Sequence, residues 1–122
     1  MTNPFRDQEK FMRACDQKVN AYAISQYKMY LDLIQEEHAE LKQAIEDDNL
    51  TEQLDALVDI LVVTIGAIHS AGFDGEGAWK EVMSTNFAKI DSLTGKVRKR
   101  EDGKVLKPAN WRAPNLTPYI KK

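Results

Sequence analysis

Cysteine and histidine are scarce in this sequence, which narrows the chemistry open to it. Cys15 is the one cysteine, so an internal disulfide is excluded and a reducing, cytoplasmic location is expected. Its neighbours Ala14 and Asp16 supply no base for a catalytic thiol, and we interpret Cys15 as a small buried apolar residue. Neither His38 nor His69 follows a glutamate by three residues, which excludes the Glu-x-x-His pattern of di-iron helical bundles.

Long apolar runs are missing as well. The longest, residues 60–68, is interrupted by Thr64 and Gly66, and at about 1.5 Å per residue it is too short to cross a bilayer. The first ten residues are polar and charged and do not resemble a signal peptide. We therefore expect no membrane partner.

Positive charge is sparse in the first three-quarters of the chain. Residues 1–94 carry 8 Lys and Arg against 17 Asp and Glu, whereas residues 95–122 carry 9 against 2. This acidic body argues against stable binding to nucleic acid. An acidic body with a basic tail suits a polyanion held between metal ions and lysines, and a solvated basic tail is the alternative interpretation.

The spacing of apolar residues predicts an all-α bundle of about four helices. The predicted helices cover residues 4–15, 25–47, 51–71 and about 74–90. Asn3 and Pro4 mark the start of the first helix, Thr51 is the predicted cap of the third, and Gly72 ends it. After Gly95 we expect a short hairpin around Asp102-Gly103 and then an extended tail with three prolines.

The whole chain, residues 1–122, is predicted to be a single domain in which 95–122 form the basic hairpin and tail. Its third helix is apolar over nearly its whole circumference, which is covered by Leu54, Leu57, Val58, Ile60 to Val63, Ile65 and Ile68. Such a helix is normally buried on all sides, which three other helices are too few to achieve. We therefore expect a homo-oligomer, a homodimer or a dimer of dimers, with this helix near its centre.

Five carboxylates on the second and third helices are the strongest functional signal. They are Glu36, Glu37, Glu40, Asp55 and Asp59. At about 100° per residue, the glutamates lie beside the apolar stripe of their helix, and the two aspartates share one face of the most apolar helix. No Lys or Arg occurs between Lys42 and Lys80, so the aspartates must be protonated, paired with another helix or bound to a cation.

A metal site is the interpretation that the two acidic motifs favour together. Alone, the glutamates would be a solvated helix face, and ion pairs between helices could account for the aspartates. An all-oxygen ligand set on consecutive helices favours Mg²⁺, with Mn²⁺ as a substitute, over zinc or copper.

Other polar residues are candidates for contacts with a substrate. Asn86 and Lys89 lie on or beside the apolar face of the fourth helix, where Asn86 is either a core amide or a phosphate contact. Lys104 and Lys107 could close over a polyphosphate. Gln17 could contact a base or sugar, although polarity in an exposed loop explains it equally simply.

The two acidic motifs also carry a family resemblance. Glu36-Glu-His-Ala-Glu40 followed by Asp55-Ala-Leu-Val-Asp59 resembles the metal-binding signature of the MazG-like, all-α NTP pyrophosphatases, a superfamily that includes phosphoribosyl-ATP pyrophosphohydrolases and dimeric dUTPases. Asn86-Phe-Ala-Lys89 and the later segment up to Asn110-Trp111 resemble members found in phage and bacterial genomes. The second family motif is Glu-x-x-Asp, whereas here position 56 is Ala and the acid stands one residue earlier.

The resemblance implies a Mg²⁺-dependent enzyme that splits a nucleoside triphosphate into a monophosphate and pyrophosphate. By the same resemblance, Glu37, Glu40 and Asp59 are the main catalytic metal ligands, and Glu36 holds a second metal or orients water. Asn86 and Lys89 match positions near the substrate phosphates. Phosphoribosyl-ATP hydrolysis is the nearest alternative activity, and a non-catalytic helical partner protein with a structural cation is the alternative class.

Overall fold

The fold is described by a computed structural model of residues 3–121, and four α-helices account for most of it. They are α1 (Pro4–Ala14), α2 (Ile24–Glu46), α3 (Leu50–Ser70) and α4 (Gly75–Phe87). A short 3-10 helix, Thr117–Tyr119, follows near the end, and no strand is assigned within these residues. The predicted all-α architecture is confirmed, while the predicted oligomer stays a prediction.

Asparagine side chains fix where two of the helices begin. Asn3 Oδ1 accepts a hydrogen bond from the backbone N of Arg6 at 2.9 Å, as predicted for the start of α1. Asn49 Oδ1 accepts from the backbone N of Glu52 at 3.1 Å, so α3 begins at Leu50. The prediction of Thr51 as this cap was therefore wrong, because the chain is already helical there.

Two further sequence interpretations need correction. Cys15 follows the last residue of α1 and is exposed, whereas a buried apolar role was expected. The tail contains no α-helix, as predicted, but it is not extended throughout. Residues 109–110 form a turn, closed by the hydrogen bond from Trp111 N to the carbonyl oxygen of Pro108 at 3.0 Å, and Pro118 lies in the 3-10 helix, since the fixed φ of proline suits a first helical turn. The positive φ of Gly72, +79°, ends α3 as predicted.

The helices α2 and α3 form a helical hairpin that α1 covers. Residues 47–49 join α2 to α3, and a turn this short requires the helices to run antiparallel. Tyr30 of α2 packs with Val63 and Ala67 of α3 in the main buried cluster. His69 Nε2 lies 2.8 Å from the carbonyl oxygen of Phe5, which ties α1 to α3.

The described chain divides into two compact units. The first comprises residues 3–75 with 120–121, and the second comprises Glu76–Tyr119. The single-domain assignment stays a prediction. In the second unit, the predicted turn at Asp102-Gly103 lies next to an isolated antiparallel bridge between Lys99 and Val105. Trp111 Nε1 donates to the carbonyl oxygen of Thr85 at 2.7 Å, which fastens the tail to α4.

One face of α3 is apolar and exposed. Leucines at 50, 54, 57 and 61 repeat at intervals of four, three and four residues, the spacing of a coiled-coil seam, and are 50–77% exposed. By length and composition α3 is also the one helix among residues 3–121 that is able to cross a membrane, and 39% of its most apolar window is buried. Core helices of globular proteins share these properties, and the absence of a membrane partner stays a prediction.

The contact between α2 and α3 depends on Gly66 having no side chain. A Cβ at this position would lie within 3 Å of three atoms of the Tyr30 ring. The ring has no room to move, because it is 4% exposed and its hydroxyl donates to Gln17 Oε1 at 2.6 Å.

Gly66→Ala is therefore expected to destabilise the protein. Overpacking costs about 1–3 kcal/mol, which outweighs the gain of about 1 kcal/mol that alanine brings to a helix interior. The free energy of unfolding, measured by urea denaturation, should fall. Adding Tyr30→Leu should relieve the clash, so the double variant should lose less than the two single losses combined. An unchanged or raised urea midpoint for Gly66→Ala alone would contradict this packing.

Candidate metal and phosphate site

Four of the five predicted carboxylates interact with one another on the facing surfaces of α2 and α3. Glu37 and Glu40 are one turn apart on α2, and Asp55 and Asp59 are one turn apart on α3. The pKa of Glu37 responds to all three of the others, and that of Asp59 responds to Asp55 and Glu40. We call these four residues the acidic cluster.

Burial and like charge both raise the pKa values of Glu37 and Asp59. The pKa of Glu37 is raised to about 7, first by burial and then by the neighbouring Glu40, Asp59 and Asp55 carboxylates. Burial also raises the pKa of Asp59, with Asp55 and Glu40 adding to the effect. Hydrogen bonding of Glu37 with Glu40, and of Asp59 with Asp55, raises these two pKa values further. The cluster therefore holds more negative charge than its surroundings stabilise.

The donor chemistry of the acidic cluster suits a hard divalent cation. Glu37 Oε2 is buried and accepts no hydrogen bond in the described chain. Its lone pairs are therefore available to a cation. In residues 3–121, however, no three acidic, His or Cys side chains already converge as a metal-binding group. The carboxylates fit a divalent cation because they are oxygen ligands and because a cation would relieve their mutual repulsion. Their side chains would have to rotate to bring the oxygens together around it.

Glu36 differs from the other predicted acids. It is exposed on α2, and it is not among the groups that raise the pKa of Glu37 or Asp59. On a helix it points about 100° away from Glu37. The structure therefore separates Glu36 from the acidic cluster, and its predicted role as a second ligand or base stays a prediction.

The structure explains the offset of the second acidic motif. Ala56, where the family pattern has glutamate, is 3% exposed. A glutamate there would have to bury its carboxylate. Asp55, one residue earlier, is exposed and interacts with both Glu37 and Asp59. Asp55 is thus a full member of the acidic cluster.

A cavity of about 290 Å³ lies at the turn end of the α2–α3 hairpin. Glu40 and Asp55 line it together with Asp47 and Glu52, and no basic side chain is among its lining residues. The sequence interpretation did not include Asp47 and Glu52, because each resembles ordinary helix-end acidity.

Gln17 is the predicted substrate contact in the first unit. It lies in the loop after α1 and is half-buried. Its Oε1 accepts the hydrogen bond of the Tyr30 hydroxyl. This hydrogen bond gives Gln17 a structural role. The contact of Gln17 with the substrate stays a prediction.

The second unit groups three of the predicted substrate contacts with a tryptophan. Lys89 Nζ donates to Asn86 Oδ1 at 3.0 Å and lies 5.1 Å from the centroid of the Trp111 ring. Lys107 Nζ lies 4.6 Å from the same centroid. We call Asn86, Lys89, Lys107 and Trp111 the Trp111 cluster. Lys104 is exposed beside the Asp102-Gly103 turn, where its backbone N donates to Asp102 Oδ1 at 3.0 Å.

Trp111 was not among the predicted site residues. Its sequence signal is weak, because a single tryptophan in a proline-containing tail has no helical or strand periodicity to place it. Its position depends on the hydrogen bond to Thr85, a contact 26 residues away in the chain.

Two antiparallel helices with four interacting carboxylates on their facing surfaces define a class: all-α proteins with an acidic site between two helices. A family model described as phosphoribosyl-ATP pyrophosphohydrolase matches residues 6–86. The chain belongs to this family, which lies within the MazG-like, all-α NTP pyrophosphatase superfamily. It is therefore a pyrophosphohydrolase, an enzyme acting on a nucleotide phosphoanhydride. A search of curated proteins found no match.

The raised pKa of Glu37 predicts how stability depends on pH in metal-free protein. Its folded-state pKa of about 7 lies above the ordinary 4.5, so between these values the folded state binds more protons than the unfolded state. The contribution of Glu37 protonation to the free energy of unfolding is fully present below pH 4.5 or so, and it is lost as the pH rises through about 7.

Urea unfolding with a chelator present should therefore show a free energy of unfolding that falls between pH 5 and pH 8. Glu37→Gln should flatten that slope, because the amide does not ionise, whereas Glu46→Gln, an exposed acid at the end of α2, should keep it. Equal slopes in wild type and Glu37→Gln would show that this carboxyl titrates normally.

Proposed function

We propose that this protein is a Mg²⁺-dependent nucleoside triphosphate pyrophosphohydrolase that converts a (d)NTP to a (d)NMP and pyrophosphate. The acidic cluster carries the proposal. Its carboxylates raise the pKa values of Glu37 and Asp59, α3 carries no Lys or Arg to pair with them, and a divalent cation removes that repulsion. Mn²⁺ is the expected substitute for Mg²⁺, since both prefer oxygen ligands.

Each acidic residue has a proposed role. Glu37, Glu40 and Asp59 hold the cation, and Asp55 completes the set from α3. When bound, Mg²⁺ supplies charge neutralisation at the phosphate oxygens and a more acidic bound water. Glu36, exposed on α2 one residue before Glu37, takes a proton from the attacking water as a general base.

Residues outside the acidic cluster are proposed to bind the rest of the nucleotide. Asn86, Lys89, Lys104 and Lys107 carry the amide and ammonium donors that recognise phosphate oxygens. Gln17 is proposed to contact the base or sugar through its amide nitrogen, because its oxygen already accepts from Tyr30.

Phosphoribosyl-ATP is the second candidate substrate. The observation that favours it is the description of the matching family model, whose match contains both acidic motifs. Both candidates release pyrophosphate, so the same acidic cluster serves either reaction. The two differ in the group attached to the nucleotide, which the Mg²⁺ ligands do not contact.

The proposal is tested with a panel of ribo- and deoxyribonucleoside triphosphates and phosphoribosyl-ATP, with Mg²⁺, by measuring released pyrophosphate. Glu40→Gln and Asp59→Asn should each reduce turnover on the order of a hundredfold or more, because each removes a charged ligand. Glu46→Gln, which lies outside the acidic cluster, should retain wild-type turnover. Mg²⁺ should also raise the melting temperature of wild type but not of Asp59→Asn.

The panel has outcomes that overturn the proposal. Turnover of phosphoribosyl-ATP alone would replace the proposed substrate with the second candidate. No release from any nucleotide, with wild type and Glu40→Gln behaving alike, would leave a non-catalytic helical protein.

We also propose that the leucine face of α3 is covered by a second copy of this chain, as a homodimer or a dimer of dimers in the cytoplasm. The face repeats at coiled-coil spacing and carries no charged residue, so an identical helix is complementary to it. The four leucines are Leu50, Leu54, Leu57 and Leu61.

Leu57→Lys is expected to shift the protein towards monomer in sedimentation at equal concentration. The reason is that the lysine would place a charge in the centre of an apolar contact. Leu93→Lys, at a 94% exposed position in the second unit, is the control and should leave the assembly unchanged. A wild-type protein that sediments as a monomer would refute the assembly.

A further inference from the structure

A cavity of about 270 Å³ in the second unit is lined by α4 and by the tail. Glu81, Ser84 and Thr85 line it from one face of α4, since residues three and four apart share a helix face. The tail contributes residues 110–113. The volume lies just below the range of about 300–1,000 Å³ typical of pockets for drug-sized ligands. The cavity therefore suits one flat ring system better than a whole nucleotide.

Two hydrogen bonds hold the walls of this cavity in place. Trp111 Nε1 donates to the carbonyl oxygen of Thr85 at 2.7 Å, and the backbone N of Asn115 donates to Glu81 Oε2 at 2.8 Å. One bond precedes Arg112 in the chain and the other follows it, so the tail is fastened to α4 on both sides of this residue. A cavity with fixed walls loses little conformational entropy when a ligand binds.

Opposite charges line the cavity without neutralising each other. In the part of the chain that the structure describes, Glu81 and Arg112 form no ion pair, although both are lining residues. The side chains of Arg112, Ser84 and Asn110 are exposed and make no hydrogen bond there. Glu81 is half-buried, and its carboxylate has lone pairs beyond the one that accepts from Asn115. The cavity thus offers a carboxylate acceptor together with guanidinium, amide and hydroxyl donors.

Among the nucleobases, guanine has the pattern of donors and acceptors that matches both charges. Its N1–H and N2–H lie side by side and fit the two oxygens of a carboxylate. Its O6 and N7 acceptors fit a guanidinium, and this bidentate pairing with arginine is the commonest specific contact of guanine. Adenine, cytosine and uracil each lack two adjacent donors, so a carboxylate would bind them through one hydrogen bond at most.

The remaining lining residues suit the faces of a flat ring. Trp111, Ala88 and Ala113 supply apolar surface, and small-molecule sites combine such surface with a few placed polar groups. The tail residues of the cavity lie beyond residues 6–86, which the family model matches. The family match therefore does not account for this cavity.

We propose that the cavity between α4 and the tail binds a guanine base, with Glu81 accepting from N1–H and N2–H and Arg112 donating to O6 and N7. The site consists of residues of the second unit alone. That the guanine belongs to the nucleotide substrate rests on the proposed function. With the base bound here, the proposed contact of Gln17 is with the sugar.

The test is a titration of the full-length protein with guanosine, followed by saturation-transfer NMR, with a chelator present and no divalent metal. Guanosine has no phosphate, so binding of phosphate groups by lysines does not contribute to the signal. We expect saturable binding that is stronger than that of adenosine, cytidine or uridine. Inosine lacks the N2 amino group and 7-deazaguanosine lacks N7, so each should bind more weakly than guanosine.

Variants assign each edge of the base to its residue. Glu81→Gln retains an oxygen that can accept from Asn115, but it should weaken guanosine binding roughly tenfold to a hundredfold and narrow the difference between guanosine and inosine. Arg112→Gln should weaken guanosine binding by a similar factor and abolish the preference over 7-deazaguanosine. Glu101→Gln and Lys99→Gln change exposed charges elsewhere in the second unit and should bind as wild type does.

Absence of saturable guanosine binding, or equal affinities for guanosine and adenosine, would overturn the site. A merely structural role of Glu81 would weaken the binding of all nucleosides equally and keep the difference between guanosine and inosine, which would also overturn it. So would an equal loss of affinity in the two control variants.

The result is separate from that of the proposed function, because nucleoside binding is measured without metal or turnover. If hydrolysis occurs, Glu81→Gln should raise the KM for GTP more than it lowers kcat, and it should leave the KM for ATP unchanged. Equal KM values for GTP and ATP in the wild type would overturn the assignment of the guanine to the substrate.

Discussion

Repulsion among the carboxylates between α2 and α3 is the constraint around which this structure is built. Glu37, Glu40, Asp55 and Asp59 are held at close range by the packing of their helices, and α3 supplies no Lys or Arg to pair with them. Such an arrangement costs folding free energy unless the charge is removed by a proton or a cation. The apolar contacts of the hairpin have to offset that cost.

The close approach that creates the repulsion is set by small residues. Gly66 leaves room for the Tyr30 ring, and Ala56 is buried, so the two helices lie near each other along the acidic face. Larger side chains at these positions would separate the helices and weaken the interaction among the acids. The electrostatic interactions of the acidic cluster therefore depend directly on the packing between α2 and α3.

The sequence predicted the helices and the acidic motifs well, because both depend on local spacing. Helix ends at Asn3 and Gly72 follow from cap chemistry, and the four interacting carboxylates follow from periodicity of about 100° per residue. Thr51 was a wrong cap because Asn49 reaches the same backbone donors from two residues earlier. Cys15 was assigned to the interior by its residue type, although its position after α1 leaves it exposed.

Contacts between residues that are distant in the chain could not be predicted from the sequence. No local pattern indicates that Trp111 bonds to Thr85, or that two lysines 18 positions apart share its ring. The burial of Ala56 beside Asp55 was likewise not predictable, because it depends on how α3 is rotated against α2.

The three-residue connection at 47–49 limits which sequence changes the hairpin can tolerate. A link that short leaves little slack, so the rotation of α3 relative to α2 is tied to the number of residues between them. One inserted residue would turn the following helix by about 100° if its start moved with it, and the aspartates would leave the face of the glutamates. Insertions and deletions in this turn are therefore expected to disrupt the acidic cluster, whereas substitutions are expected to be tolerated. Asn49 is the exception, because its side chain caps α3.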